Sequence, residues 1–234
     1  VIARVVIALL SVAAMAAMGS RPGGAVSHQR DEAVVWTFDR LENIGGHRTT
    51  VVGEPKVIDS PVGKAVEFDG VDDALFIDDH PLAGASAFTW EAVFRPDGGP
   101  REQRWFHLNE DPATGADTEN RMLFEIRVVG DSWYFDAYNQ SGAASKALIN
   151  RAALHPLGAW YHVAAVYDGK EFSNYVDGVR ENVAEIHLAP HGRGRASVGV
   201  RINRLFYFKG AVHLARFTRR ALGPSEFLRP PAKP

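Results

Sequence analysis

Residues 160–178 read WYHVAAVYDGKEFSNYVDG. One apolar and aromatic run, Trp160 to Tyr167, ends at Asp168-Gly169-Lys170. A second, Phe172 to Val176, ends at Asp177-Gly178. Glycine accepts positive φ, so Asp-Gly between two strand-like runs marks a hairpin. The rival reading is a calcium loop of the EF-hand type, which needs oxygen ligands at alternating positions and a closing Glu. Lys170, Phe172 and Asn174 stand there instead. The two aspartates are therefore expected to turn the chain, and to tolerate loss of charge better than loss of their turns.

Outward from this hairpin, similar runs recur at 33–38, 65–69, 74–77, 88–95, 104–109, 121–129, 132–139, 196–201 and 211–218. They are rich in Val, Ile, Phe, Tyr and Trp, which suit a pleated, half-buried surface. Gly, Pro, Asp and Asn separate them. Many short strands between turns indicate a sandwich or barrel. GPSEFL (223–228) is the best helical scrap, one turn at most. No internal repeat or linker divides the chain after its first thirty or so residues.

Composition narrows the function classes. Lys and Arg number 26 against 28 Asp and Glu, a net charge of −2. Nucleic-acid binding, which calls for a concentrated basic surface, is not indicated. HGRGR (191–195) reads as a solvated basic loop. Cysteine is absent, which removes disulfides, thiol catalysis and cysteine-ligated zinc. Residues 1–19, VIARVVIALLSVAAMAAMG, combine an early Arg4, an apolar stretch and a run of small residues. That is the pattern of a cleaved secretion signal. The apolar run falls short of the ~20 residues of a comfortable span, so no stable membrane span is expected after cleavage. The expected organisation is a signal peptide (1–19), a flexible lead-in (20–32), one β domain (33–229) and a loose tail (230–234). The expected location is periplasmic or extracellular.

The segments GKAVEFDGVDDALFI (63–77), FTWEAVFRPD (88–97), WYHVAAVYDGK (160–170), YVDG (175–178), SVGVR (197–201) and FKGAVHLARFTRRALGPSEF (208–227) occur in that order. Together they resemble the laminin-G-like, concanavalin A-like jelly roll of secreted bacterial proteins. The resemblance implies an all-β fold, two antiparallel sheets packed face to face, one curved to a concave surface. It does not fix a function, since such folds serve glycan binding, protein adhesion and glycoside hydrolysis. Two departures stand out. His213 occupies the place of an Asp that could ligate structural calcium, so no cofactor is expected and calcium is doubtful. The Glu-x-Asp-x-x-Glu motif of related glucanases is missing.

Alternate side chains of a strand face opposite sides. Phe88, Trp90, Ala92 and Phe94 are expected in the core, as are Phe106, Leu108, Met122, Phe124, Ile126, Trp133, Phe135 and Ala137. Trp36 and Trp160 are also expected to be buried. With the strands adjacent, as the resemblance implies, the opposite face gathers Glu91, Trp105, His107, Glu125, Arg127, Tyr134, Asp136 and Tyr138. Aromatic rings cover the apolar side of a sugar, and Asp, Glu and Arg bond its hydroxyls. The expected function is thus an exported, non-catalytic module for carbohydrate or an extracellular protein partner. The alternative is a glycoside hydrolase or polysaccharide lyase using two of these carboxylates. No nucleophile elbow supports a serine triad. His187 and His191, separated by Pro190, form no helical metal pair.

Overall fold

The computed structural model describes residues 33–111, 120–229 and 231–232. The expected signal segment, the lead-in and most of the tail lie outside the described residues. Seventeen strands occur in chain order among those described: β1 (Val34–Thr37), β2 (Asn43–Ile44), β3 (His47–Val52), β4 (Lys56–Ser60), β5 (Gly63–Asp69), β6 (Ala74–Ile77), β7 (Phe88–Pro96), β8 (Glu102–Glu110), β9 (Arg121–Val129), β10 (Ser132–Ser141), β11 (Ala144–Ile149), β12 (His155–Pro156), β13 (Tyr161–Tyr167), β14 (Glu171–Val176), β15 (Val179–Glu185), β16 (Gly194–Val198) and β17 (Lys209–Thr218). GPSEFL contributes a single 3-10 turn, Pro224–Glu226.

All pairings are antiparallel. The first sheet runs β15-β14-β13-β7-β17-β5-β4, with β1 beside the far half of β17. The second runs β11-β10-β9-β8-β16-β6-β3-β2, with β12 beside β10. This is the expected two-sheet sandwich. The opening hairpin is built as its sequence dictates. Asp177 (φ 48) and Gly178 (φ 80) form the two-residue turn between β14 and β15, with both φ positive, as twisted hairpins require. The aspartates also stitch their surroundings. Asp168 Oδ1 accepts the amides of Lys170 and Glu171, and Asp177 Oδ1 accepts the amide of His162.

The core is an aromatic layer between the sheets. From β7, Trp90 stacks on Phe124 of β9 at 3.8 Å between centroids, and Phe94 stacks on Trp105 of β8 at 4.3 Å. Phe106 and Trp133 meet these rings edge-on, each at 5.1 Å. Trp105 was expected on the outer face, and its position is a correction. The β8–β9 register shifts between Arg104 and Phe106, a β-bulge that breaks alternation. Trp105 is fully buried as a result. The other expected core tryptophans, Trp36, Trp90, Trp133 and Trp160, are all buried.

Replacing Trp105 by Ala should therefore cost about 3–5 kcal/mol of unfolding free energy in urea, the usual loss for a buried tryptophan. A change within about 0.5 kcal/mol, the range of ordinary surface substitutions, would contradict its place in the core.

Candidate functional site

Strand register assembles the outer face of the second sheet into rungs. Arg104, Glu125 and Asp136 stand side by side across β8, β9 and β10. The next rung holds Glu102, Arg127 and Tyr134. On the other side, Ser197, His107, Leu123 and Tyr138 form a third rung that reaches β16. The bulge at Trp105 sets this arrangement, because it brings Arg104 opposite Glu125.

The central rung is an ion-pair network. Arg127 Nη2 lies 2.9 Å from Glu125 Oε2 and 3.0 Å from Asp136 Oδ2. Arg104 Nε donates to Glu125 Oε1 at 3.2 Å. Glu102 is within 3.6 Å of Arg104 and 3.9 Å of Arg127. Asp136 Oδ1 and Arg104 Nη1 make no hydrogen bond, although both are shielded from solvent. Burial pushes the Asp136 carboxyl up to about 7, and the charge of Glu125 adds to this, against the opposing pull of Arg127 and Arg104. Burial raises the Arg127 cost too, but Glu125 and Asp136 outweigh it and hold that guanidinium above its ordinary value.

A loop over residues 199–208 closes onto this face where β16 ends. Gly199 donates to the Trp105 carbonyl (2.9 Å) and Arg104 to the Phe206 carbonyl (3.0 Å). The Ile202 amide donates to His107 Nδ1 at 3.0 Å. Gly199 needs its freedom here: φ is 88 and a Cβ would collide with the Phe68 ring. Arg204 (φ 61) and Phe206 (φ 65) hold left-handed backbone without being glycine. The Arg104 guanidinium sits 3.7 Å from the Phe206 ring centroid. Phe206 keeps 38% of its surface and Leu205 52%.

Of the eight expected residues, Glu125, Arg127, Tyr134, Asp136 and Tyr138 share this face with His107. His107 is nevertheless fully buried, and burial, then the charge of Arg201, holds its imidazole well below the usual value. Tyr134 is buried, while Tyr138 is partly open, its hydroxyl on Gln140 and Arg121 at 5.4 Å from its ring. Glu91 does not belong to the group. Its strand, β7, lies in the opposite sheet, and its carboxylate is fully buried beneath the C-terminal segment. There it meets His162 Nε2 (3.0 Å), the Leu228 amide (2.7 Å) and the Arg216 guanidinium. HGRGR is not a loose basic loop either. His191 is buried, and Arg195 lies in β16 with Asp111 at 2.9 Å.

Residues 69–227 match the family profile described as the concanavalin A-like lectin/glucanases superfamily, in its laminin-G form. The chain belongs to this superfamily. No curated protein is significantly similar to this concanavalin A-like domain. Similar solved structures include domain 4 of AbnA, a GH43 extracellular arabinanase from Geobacillus stearothermophilus, in complex with arabinotriose. It is 17% identical with a TM-score of 0.62, over 82% of this chain and 94% of that one. The binding domains of botulinum neurotoxin serotype D (9% identity, TM-score 0.60) and of Paraclostridial Mosquitocidal Protein 1 (11%, 0.59) also match. Each covers 84% of this chain, which spans about half of theirs (50% and 51%). At these identities the likeness is one of fold.

The concanavalin A-like domain also has a cleft of about 870 Å³ elsewhere, lined by residues that include Glu54, Lys56, Asp69, Asp73, Asp97 and Lys209. Asp69, Asp72 and Asp73 bring ligand oxygens within 4.8 Å of one another. Oxygen donors of this kind suit calcium. Yet Asp69 Oδ1 accepts the amides of Val71, Asp72 and Asp73, and the Asp73 carboxylate accepts those of Glu54 and Asp69. These bonds lock the turn after β5. His213, in the place of the family's Asp, sets Nδ1 2.7 Å from the Lys64 carbonyl.

The folded chain keeps a proton on Asp136 that the unfolded chain loses between about pH 4 and 7. This contribution is full below the unfolded value and disappears as pH rises through 7. Asp136→Asn should thus gain stability over the parent at pH 8 relative to pH 5, on the order of 2–4 kcal/mol, in urea titrations at both values. A difference independent of pH would refute the assignment.

Proposed function

We propose that this domain is an exported, non-catalytic recognition module that binds glycans, or a glycan-bearing extracellular partner, on the outer face of the second sheet. The observation that carries the reading is Phe206. Its partly exposed ring is held in an unfavourable backbone conformation against Arg104, beside the Arg104–Glu125–Asp136 rung. Non-glycine residues in left-handed backbone persist where the surroundings over-determine them, often at ligand sites. An aromatic ring offers a platform for the apolar side of a pyranose. Glu102, the most exposed carboxylate of the network at 42%, and the partly exposed Arg104 and Arg127 guanidiniums supply an acceptor and donors beside it. The fold likeness to an arabinanase domain solved with arabinotriose points the same way. The N-terminal sequence pattern supports export to the periplasm or beyond.

A second reading rests on one observation. Glu125 and Asp136 are cross-strand neighbours, and Asp136 titrates near neutrality, as the acid of a glycoside hydrolase or lyase would. Arg127 bridges both carboxylates, which favours a structural role. Product release from a polysaccharide panel that disappears in Glu125→Gln would establish this reading instead.

Glycan-array binding by the purified protein tests the first proposal. Phe206→Gly should weaken the best ligand at least tenfold, about 1.4 kcal/mol. Its melting temperature should hold or rise, because Gly removes about 1–2 kcal/mol of left-handed strain. Arg127→Met should weaken binding similarly. Unchanged affinity in both variants would overturn the site.

A further inference from the structure

Two histidines outside this site meet where two connections cross. His80 lies between β6 and β7, His191 between β15 and β16, and the Gly84 amide donates to the His191 carbonyl at 2.7 Å. Each ring is only 3% exposed. Their centroids are 5.6 Å apart and the planes are nearly perpendicular, at 83°. None of the four ring nitrogens has a well-aligned hydrogen-bond partner, although backbone carbonyls, its own for His80 and that of Gln140 for His191, stand beside the rings. A neutral imidazole carries one donor and one lone pair, and buried polar groups are almost always satisfied. A single N–H···N bond between the rings would meet part of that need, and it is not made.

We propose that His80 and His191 form a binding site for a divalent transition-metal ion of the zinc, copper or nickel class. Imidazole nitrogen suits these ions. Each ring would give one lone pair to the ion and keep its other nitrogen protonated. The usual outer partner of such an N–H is a carbonyl or carboxylate. The His80 carbonyl stands near its own ring, and the Gln140 carbonyl and Glu110 carboxylate near His191, each favouring a protonated ring. His107 is excluded as a ligand. Its Nδ1 accepts the Ile202 amide, so Nε2 carries the proton. Among the described residues, the pair belongs to no cluster of three ligand atoms within 4.8 Å, so the two rings are the only side chains assigned to the ion.

The test is calorimetric titration of chelator-treated protein with zinc chloride. One saturable site per chain is expected, at least tenfold weaker in His80→Phe and in His191→Phe and unchanged in His187→Gln. Nitrogen-detected imidazole spectra of the parent protein serve if those variants misfold: zinc should shift the His80 and His191 ring resonances before any others. No saturable binding, affinity equal to the parent's in both Phe variants, loss of affinity in His187→Gln, or shifts confined to other histidines would overturn the proposal.

Discussion

The packing of β7 against β8 and β9 governs this structure. Trp90 on Phe124 and Phe94 on Trp105 are two stacked pairs that join the sheets at their centres. Each such pair contributes about 0.5–1.5 kcal/mol beyond the area it buries. The second pair demands that Trp105 turn inward although Phe106, its neighbour, also enters the core. Only a bulge satisfies both, and the bulge fixes what the opposite face presents. Without it, Arg104 would not stand opposite Glu125, and the row of Arg104, Glu125 and Asp136 would not exist. Core packing and the candidate site are thus consequences of one register shift.

That coupling explains the electrostatics of the face. Two guanidinium groups and three carboxylates are gathered where most of the side chains are shielded. Arg127 holds Glu125 and Asp136 together, yet burial, reinforced by the charge of Glu125, leaves Asp136 inclined to keep a proton. The 199–208 loop adds the apolar component. It docks on backbone groups of β8 and carries Phe206 to Arg104. A polar row with an aromatic ring at its edge is the arrangement on which the proposed glycan binding rests.

The central strands were legible in the sequence because their alternation is strong. FTWEAVF, RMLFEIRVV and SWYFDAYN each place their core residues as periodicity predicts. The strands missed are the polar ones near the edges. HRTTVV (β3), KVIDS (β4), ASKALI (β11) and VRENVAE (β15) are largely solvated and carry little apolar signal. Trp105 was misplaced because a bulge leaves no mark in a period of two. Glu91 had the right parity, but parity does not reveal which sheet a strand joins. Phe206 was missed because it lies in a loop, where no periodicity applies. Two non-glycine residues with positive φ, Arg204 and Phe206, are visible only in the backbone.

A crystal structure of the protein with its best array glycan tests the central claim most directly. The account predicts a sugar ring against Phe206, with hydroxyls bonded to Glu102 and to Arg104 or Arg127. A glycan seated in the cleft around Asp69 and Lys209, with the outer face of the second sheet empty, would contradict it.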